Sequence, residues 1–263
     1  MHDRLVRYQP APGLHTLLTP QPGMLDFITF SILQLAASES WRFQQMRQEN
    51  VLVLLSGEVE FRSGGTCWRA TRANVFDAPA SSLFLPPGAD VEVIAHAAAE
   101  VAVATAPSSQ SGAAVFCGPD TIRARQVGRD NWQRQVKTLV DVDSPAEVLI
   151  VGETFNPPGN WSSYPPHRHD FDRPPQEIAM EEVYFYRLDP SHGFGFQRIY
   201  TADRRVDHTW TIEQNHALPI YEGFHPVVAG GGYRLYYLWI LAGKKKELIP
   251  FTDPQHGWLL DAH

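Results

Sequence analysis

Short apolar runs, broken at close intervals by glycine, proline, asparagine and aspartate, dominate the hydrophobic pattern of this chain. Apolar residues seldom recur at the three- and four-residue spacing of a helix, and the chain contains 19 glycines and 21 prolines. This pattern is typical of an all-β sandwich or barrel. In the first half it predicts strands over 29–35, 51–55, 59–61, 75–78, 82–85, 91–95 and 101–104. In the second half it predicts strands over 148–155, 182–186, 194–200, 208–213, 218–221, 226–228 and 233–241.

The strand-and-turn pattern repeats on either side of residues 106–114, a segment rich in proline, serine, glutamine and glycine. Such a composition is typical of a connector that runs over the surface. We therefore expect two β-barrels of one plan, an amino-terminal one over 1–110 and a carboxy-terminal one over 111–263. Residue identity between the halves is faint, so the repeat is architectural.

Composition narrows the possible partners. The formal net charge is -7, and the longest basic run is Lys244 to Lys246, so nucleic acid is not an expected partner. No apolar run reaches the roughly 18 residues that a membrane segment needs. The two cysteines, Cys67 and Cys117, form no metal-binding or disulfide pattern, which favours reduced thiols and a cytoplasmic location.

Candidate chemistry is concentrated in residues 164–187. His167 and His169 are two residues apart, so in an extended backbone both imidazoles leave the same face. Beyond a proline-broken loop, the adjacent acids Glu181 and Glu182 open a run of β-favouring residues. Either carboxylate could supply a third ligand to a metal ion.

A fourth ligand is expected at His225, which lies at the start of a later predicted strand and beside glycine turns. The corresponding segment of the first half, 41–47, contains no histidine. A metal ion is therefore expected in the second barrel, with the first as a structural partner. His208 and His216 are expected to be structural, as is the aromatic cluster Tyr233, Tyr236, Tyr237 and Trp239.

A His-x-His pair, a glutamate on the next strand and a later histidine form the metal-binding pattern of the cupin barrel, which this chain resembles in both halves. The resemblance is closest to the 5-deoxy-glucuronate isomerase family, bicupin sugar-acid isomerases of inositol catabolism. It is carried by the strings GETFNPPGNWSSYPPHRHD, MEEVYFYR, GFGFQRIYT and NHALPIYEGFHPVVAGGGYRLYYLW. A broader relative, the ketol isomerase of pectin breakdown, has its ligand glutamate directly before Val-Tyr-Phe. By that resemblance the third ligand is Glu182, although the loop 171–179 is longer here.

The resemblance implies a metal-dependent aldose–ketose isomerase that converts 5-deoxy-D-glucuronate to 5-dehydro-2-deoxy-D-gluconate. Three imidazoles and one carboxylate suit a divalent ion, Zn or Mn first, with Fe, Ni and Co also compatible. One rival function is a cupin dioxygenase with the same ligands, and another is a non-catalytic sugar-binding bicupin. The expected partner is a small sugar acid, and a homo-oligomer is compatible with the sequence.

Strand alternation adds an independent prediction around Glu182. If Glu182 points into the barrel, Tyr184 and Tyr186 point in with it, and the outward residues are Glu181, Val183, Phe185 and Arg187. Tyr184 is then one candidate for moving the substrate proton. Glu153, a lone acid in an apolar strand, is the other.

The substrate carboxylate calls for a cationic partner, since guanidinium groups bind carboxylates through paired hydrogen bonds. Arg234 and Arg198 lie on predicted strands near the histidine-containing strings. They are the residues predicted to bind the substrate carboxylate.

Overall fold

The computed structural model describes residues 4–261, and almost all of its regular structure is β-strand. The first-half strands are β1 (Val6–Arg7), β2 (Gly13–Leu18), β3 (Thr29–Leu35), β4 (Ser40–Gln44), β5 (Gln48–Ser63), β6 (Thr66–Arg72), β7 (Ser82–Leu85), β8 (Asp90–Ala95), β9 (Ala99–Pro107), β10 (Val115–Cys117) and β11 (Ala124–Val127). The second-half strands are β12 (Arg134–Val140), β13 (Leu149–Asn156), β14 (Trp161–Ser162), β15 (His167–Arg168), β16 (Glu181–Asp189), β17 (Gly195–Tyr200), β18 (Asp207–Ile212), β19 (His216–Ile220), β20 (Val227–Ala229), β21 (Arg234–Ala242) and β22 (Phe251–Thr252). Helical structure within residues 4–261 is confined to two short 3-10 turns and one four-residue helix, namely Asp130–Trp132, Pro254–His256 and α1 (Trp258–Asp261). The prediction of an all-β fold is confirmed.

The chain forms two compact units whose segments alternate along the sequence. The amino-terminal unit comprises Tyr8–Arg123 and Thr138–Gly152. The carboxy-terminal unit comprises, among the described residues, 4–7, Ala124–Lys137 and 153–261. The division into barrels at residue 110 stays a prediction, and that position falls inside the first long segment of the amino-terminal unit.

One buried carboxylate holds residues 138–152 within the amino-terminal unit. Glu49 on β5 is fully buried and accepts backbone N–H hydrogen bonds from Glu147, Val148 and Leu149 at 2.7, 3.0 and 2.8 Å. A buried charge is tolerated when several donors surround it. This contact explains why a segment late in the chain belongs to the amino-terminal unit.

The longest strand, β5, organises the amino-terminal unit. Its first part pairs with β7 and β9, and its second part pairs with β6 and β8. The sequence pattern predicted two strands with a turn at 56–58, but the strand is continuous and only bends there, with a register shift between Leu54 and Ser56. Gly57 permits the bend, because its φ is +99° and a Cβ atom would collide with the backbone of Ala98 and Ala99.

A second difference from the predicted strands lies at residues 75–78, which form a turn. The side-chain Oδ1 of Asn74 accepts hydrogen bonds from the backbone N–H groups of Phe76 and Asp77 at 2.8 and 3.0 Å. An asparagine that bonds forward in this way stabilises a turn in competition with a strand. The β-favouring residues of this segment are therefore overridden by the asparagine before them.

The interior of the amino-terminal unit is apolar. Residues two apart on neighbouring strands share this face, as expected for pleated strands. The buried cluster consists of Leu33, Leu35, Leu52, Leu54, Val59, Phe61, Ala70, Leu83, Leu85, Val91, Val93, Ala95, Ala99, Val101 and Val103.

In the carboxy-terminal unit, β16 lies between β19 and β21 and pairs with both in antiparallel register. These strands belong to a seven-stranded sheet with the order β1-β19-β16-β21-β13-β12-β11. A second sheet has the order β14-β20-β17-β18, and β15 pairs with β22. None of the helices between residues 4 and 261 has the length and apolar character that a membrane crossing requires.

Candidate metal centre

Three buried ligand atoms converge in the carboxy-terminal unit. His169, Glu182 and His225 each offer one such atom, and these atoms lie within 4.8 Å of one another. Glu182 Oε2 is 3.2 Å from His169 Nε2 and 3.4 Å from His225 Nε2. None of the three residues is more than 4% exposed. Two imidazoles and one carboxylate therefore surround a single point.

His167 adds a fourth group beside these three. The centroid of its ring lies 4.9 Å from that of His225 and 6.4 Å from that of His169. Unlike the other three residues, His167 is partly exposed, so it lies on the solvent side of the cluster. The structure thus brings the ligand atoms of three predicted residues together and places the ring of the fourth, His167, beside them.

The backbone at the histidine pair is extended, as the His-x-His spacing requires. Residues 164–166, which include two consecutive prolines, form a turn, and the extended backbone begins at His167. The short strand β15 then pairs with β22, with His167 opposite Thr252. Arg168 points away from the cluster, and its guanidinium lies 4.6, 5.2 and 5.0 Å from the ring centroids of Phe171, Phe224 and Phe251.

Hydrogen bonds on the far side of two imidazoles fix which nitrogen faces the cluster. His169 Nδ1 donates to the carbonyl oxygen of Met180 at 2.7 Å, and His225 Nδ1 donates to that of Gly223 at 3.1 Å. In each ring, Nε2 is therefore the nitrogen that faces Glu182. The buried Nε2 of His225 has no hydrogen-bond partner among the described residues.

Such an arrangement fits a cation. The lone pair on the neutral His225 ring and the carboxylate of Glu182 repel each other unless positive charge lies between them. A metal ion would also satisfy the unpartnered Nε2 of His225. Neutral histidines with their other nitrogen bonded to a carbonyl, together with a carboxylate, are the usual ligands of Zn, Mn and similar divalent ions.

Burial and mutual charge determine the protonation of the cluster. Burial, followed by the charges of His167 and His169, lowers the pKa of His225 far below its ordinary value. Burial, followed by the charges of His169 and Arg134, lowers the pKa of His167 to about 3. Burial raises the pKa of Glu182. Burial opposes the charge on His169, but hydrogen bonding to Glu182 raises the pKa of His169. His167 and His225 are therefore in the neutral form that binds metal ions.

His225 is also held through its backbone. The buried side chain of Gln197 donates from Nε2 to the carbonyl oxygen of His225 at 2.6 Å, and its Oε1 accepts from the Tyr186 hydroxyl at 3.0 Å. On the ring side, the backbone N–H of Gly223 donates to Asp170 Oδ2 at 2.6 Å. Partners of this kind orient metal ligands.

Two tyrosine hydroxyls lie beside the cluster, each paired with a serine. The Tyr184 hydroxyl is 2.8 Å from Ser163 Oγ, and the Tyr237 hydroxyl is 2.5 Å from Ser162 Oγ. Consecutive strand residues normally point to opposite faces, but Ser163 has a left-handed φ of 48°, which brings both serine hydroxyls to the same side. Tyr237, predicted to be packing, thus contributes a hydroxyl here. Burial, followed by the charge of Glu182, raises the pKa of Tyr184 well above its ordinary value.

The side-chain alternation predicted for β16 is present. Tyr184 and Tyr186 share the face of Glu182, and their ring centroids lie 4.4 and 6.2 Å from that of Tyr237. The opposite face is not open to solvent, since its residues Val183, Phe185 and Arg187 are buried as well.

Glu153, predicted as a proton carrier, lies on the other side of the sheet. It is fully buried, and its Oε1 accepts a hydrogen bond from the Tyr236 hydroxyl at 2.8 Å. Tyr236 adjoins Tyr237 on β21, so alternation directs Tyr236 and Glu153 away from the histidines. The apolar surroundings that singled out Glu153 in the sequence reflect burial and not nearness to the ligands.

Neither arginine predicted to bind the substrate carboxylate lies at the cluster. Arg198 follows Gln197, which faces the site, so its side chain points away and forms two 2.8 Å hydrogen bonds with Asp207. Arg234 pairs with Asp189 at 2.7 Å. Asp189 is the last residue of β16, and Glu182 lies near the other end of that strand. Both arginines are near the histidine-containing motifs in the sequence. Their positions on the strands nevertheless direct their side chains away from the cluster.

The cation near the cluster is Arg134 on β12, which sequence reasoning missed. It is 8% exposed, and its Nη1 donates to the carbonyl oxygens of Trp132 and Tyr164 at 3.2 and 3.1 Å. Its surroundings in the sequence are rich in arginine and glutamine and have no clear periodicity. Nothing in that segment marks one arginine as buried, and Gln197 and the two serines are equally unmarked.

Comparison with known proteins adds the following resemblances. The KduI/IolB family model matches residues 6–259. A 5-deoxy-glucuronate isomerase of Geobacillus kaustophilus is 35% identical over 248 residues, which cover 93% of this chain and 90% of that protein. The crystal structure of an IolB-like protein from Salmonella typhimurium LT2 has a TM-score of 0.94 at 28% identity and covers 98% of this chain and 100% of that one. A cupin 2 conserved barrel domain protein from Leptotrichia buccalis, at 12% identity and a TM-score of 0.53 over 92% and 97% of the two chains, shares the fold. The predicted bicupin fold is confirmed.

Proposed function

This chain belongs to the KduI/IolB family, and from that premise we propose that it is a metal-dependent aldose–ketose isomerase converting 5-deoxy-D-glucuronate to 5-dehydro-2-deoxy-D-gluconate. The observation that carries the proposal is the convergence of His169, Glu182 and His225 on one point, in a chain whose relatives are named 5-deoxy-glucuronate isomerase. The reaction belongs, in this proposal, to myo-inositol catabolism in the cytoplasm.

Four residues would hold the metal ion: His167, His169, Glu182 and His225. Zn or Mn suits this set best, and Fe, Ni and Co are compatible with it. When bound, a divalent ion supplies Lewis-acid chemistry, which polarises the substrate carbonyl and acidifies the neighbouring C–H bond.

The isomerisation moves hydrogen between neighbouring atoms. The C–H bond at C2 breaks, a C–H bond forms at C1, and the C2 hydroxyl proton passes to the C1 oxygen. Tyr184 is placed to hold a proton at its hydroxyl oxygen, beside the ligands and in contact with Ser163. We assign it the hydrogen bond to the substrate oxygen that gains negative charge. Tyr184 is itself buried, which strengthens such a hydrogen bond.

Proton NMR in deuterated water tests the function. The protein is incubated with 5-deoxy-D-glucuronate, and we expect ketose with deuterium at the new carbinol carbon. Absence of ketose would overturn the isomerase proposal. Retained protium would keep the isomerase but replace proton transfer by an internal hydride shift, and Tyr184 would then lose its role.

Metal removal completes the test. Dialysis against a chelator should abolish turnover, and re-addition of Zn, Mn, Fe, Ni or Co in separate samples should identify the ion that restores it. Oxygen uptake during turnover would favour a dioxygenase. Sugar binding without turnover, unaffected by the chelator, would favour a non-catalytic bicupin.

A further inference from the structure

Arg134 is a buried cation without a carboxylate partner among residues 4–261. It is 8% exposed, and its hydrogen bonds go to two backbone carbonyls from Nη1 alone. Arg168, which is similarly buried, is ion-paired with Asp170 and Glu177 at 3.3 and 3.2 Å. A buried charge without a counter-ion is costly, so its retention calls for a negatively charged ligand.

The position of Arg134 relates it to the candidate metal centre. Its Nη1 is anchored on the carbonyl of Tyr164, three residues before His167. Tyr164 directly follows Ser163, whose Oγ lies 2.8 Å from the Tyr184 hydroxyl. Arg134 therefore lies on the tyrosine and His167 side of the cluster, and His167 is the ligand on its solvent side.

Aromatic rings line the same region. The ring centroid of Tyr164 lies 5.8 Å from that of Trp132 and 5.6 Å from that of Trp161. Two of these aromatic residues, Trp132 and Tyr164, also supply the carbonyl oxygens that accept hydrogen bonds from Arg134. A guanidinium that is 8% exposed has little access to water, which strengthens a hydrogen-bonded pair with a carboxylate.

We propose that Arg134 binds the carboxylate of a sugar-acid substrate while the metal ligands hold its reacting end. This inference rests on the proposed function, and it assigns the role predicted for Arg198 and Arg234 to a different residue. In a six-carbon uronic acid the carboxylate and the aldehyde are at opposite ends of the carbon chain. The anchor must accordingly lie near the cluster without belonging to it, as Arg134 does.

Steady-state kinetics with two substrates test the anchor. Arg134→Gln and Arg134→Lys are assayed with 5-deoxy-D-glucuronate and with its uncharged methyl ester. For Arg134→Gln we expect KM for the acid to rise on the order of 100-fold, while KM for the ester changes by less than about threefold. Arg134→Lys keeps the charge and should give a smaller rise, about tenfold, because an ammonium cannot bind both carboxylate oxygens in a fork. Metal content should equal that of the wild type in both variants.

A matched control is Arg205→Gln, which removes an exposed arginine that pairs with Glu222 in the same unit. It should leave both KM values unchanged. An equal rise in KM for the acid and the ester in Arg134→Gln would contradict the proposed carboxylate anchor. Loss of the metal in Arg134→Lys would contradict it as well. Either result would make Arg134 a structural residue.

A binding measurement separates this inference from the proposed function. The C1 alcohol made by reducing the substrate aldehyde keeps the carboxylate and cannot isomerise. Calorimetry should show that it binds the wild type and Arg205→Gln but not Arg134→Gln. If the wild type converts no uronate yet this difference remains, the isomerase proposal fails and the anchor stands. If the alcohol binds wild type and Arg134→Gln equally, the anchor fails whatever the turnover.

Discussion

The interiors of the two units, each taken by itself, show how one strand pattern serves opposite purposes. In the amino-terminal unit, residues of six strands form an apolar face that extends from Leu33 to Val103. In the carboxy-terminal unit, the alternate inward-facing positions of β16 are occupied by Glu182, Tyr184 and Tyr186. Alternation thus determines which residues face inward, and their identities alone determine whether the interior becomes a core or a site.

The two interiors are also stabilised differently. Apolar burial contributes roughly 25 cal/mol per Å² and needs no particular partner. A polar interior gains only about 0.5–1.5 kcal/mol net from each hydrogen bond and loses more for each buried group left unpaired. Substitutions in the amino-terminal unit should therefore alter stability, and substitutions in the carboxy-terminal interior should alter metal binding and turnover.

The largest effect is expected at His225. Replacement by alanine should reduce bound metal to near zero and lower kcat/KM by more than about 100-fold, since loss of an outer partner alone costs 10–100-fold. Elemental analysis and the isomerase assay measure both. His208→Ala, which removes a ring packed on Trp210, is the control and should retain metal. Metal retained at wild-type stoichiometry in His225→Ala would contradict the proposed ligand set.

The matching change in the amino-terminal unit is Phe61→Ala. Phe61 is fully buried in the apolar cluster, so the free energy of unfolding should fall by about 3–5 kcal/mol in a urea titration. Metal per folded chain should stay unchanged. Met46→Ala, at a side chain that is 70% exposed, should cost less than about 0.5 kcal/mol. The contrast between the units would break down if folded Phe61→Ala protein lost its metal.

Removing one hydroxyl sharpens the contrast within the carboxy-terminal interior. Tyr184→Phe keeps the packing against Tyr237 and loses the hydrogen bond to Ser163. We expect kcat to fall about 100-fold, as is common when a proton donor is removed, with metal content unchanged. Tyr233→Phe is the control and should be fully active. Unchanged kcat in Tyr184→Phe would reduce this tyrosine to a packing residue.

The smallest effect is expected at Asp170. Its carboxylate accepts the N–H of Gly223, whose carbonyl in turn orients His225. Asp170→Ala should weaken metal affinity by about tenfold, measured by competition with a chromophoric chelator. Asp172→Ala, at an exposed residue paired with Lys245, should leave the affinity unchanged. Equal metal affinities in the two variants would show that the hydrogen bond between Asp170 and Gly223 does not contribute to metal binding.

Strong local patterns allowed much of the fold to be predicted from the sequence. The strands at Thr29–Leu35 and Ser82–Leu85 have the predicted bounds, and the second ends directly before the turn residues Pro86, Pro87 and Gly88. The two-residue strands β1, β14, β15 and β22 were not predicted, since so short a strand depends on its partner. The sequence pattern also missed the longer strands β2, β4, β6, β10, β11 and β12. The sequence around Gly57 predicts a turn between two strands, because the same local sequence fits both a turn and a bend within one continuous strand.

The site was predicted less evenly. The four residues proposed as metal ligands lie in short motifs, which can be recognised without knowledge of the tertiary structure. Arg134 and Gln197 act through burial and through contacts with residues distant in the chain, which no local pattern records. Glu153 illustrates the opposite case. Its apolar neighbours in the sequence suggested a proton carrier, but strand alternation directs its side chain away from the histidines.

The pairing of β15 with β22 has a consequence for synthesis of the protein. His167 lies opposite Thr252, so the strand that holds this histidine extended emerges from the ribosome long after the histidine itself. The apolar interior of the amino-terminal unit can begin to condense while translation continues, since domains usually fold as they are made. In the proposed metal centre, His169, Glu182 and His225 are therefore synthesised before the strand that completes the setting of His167.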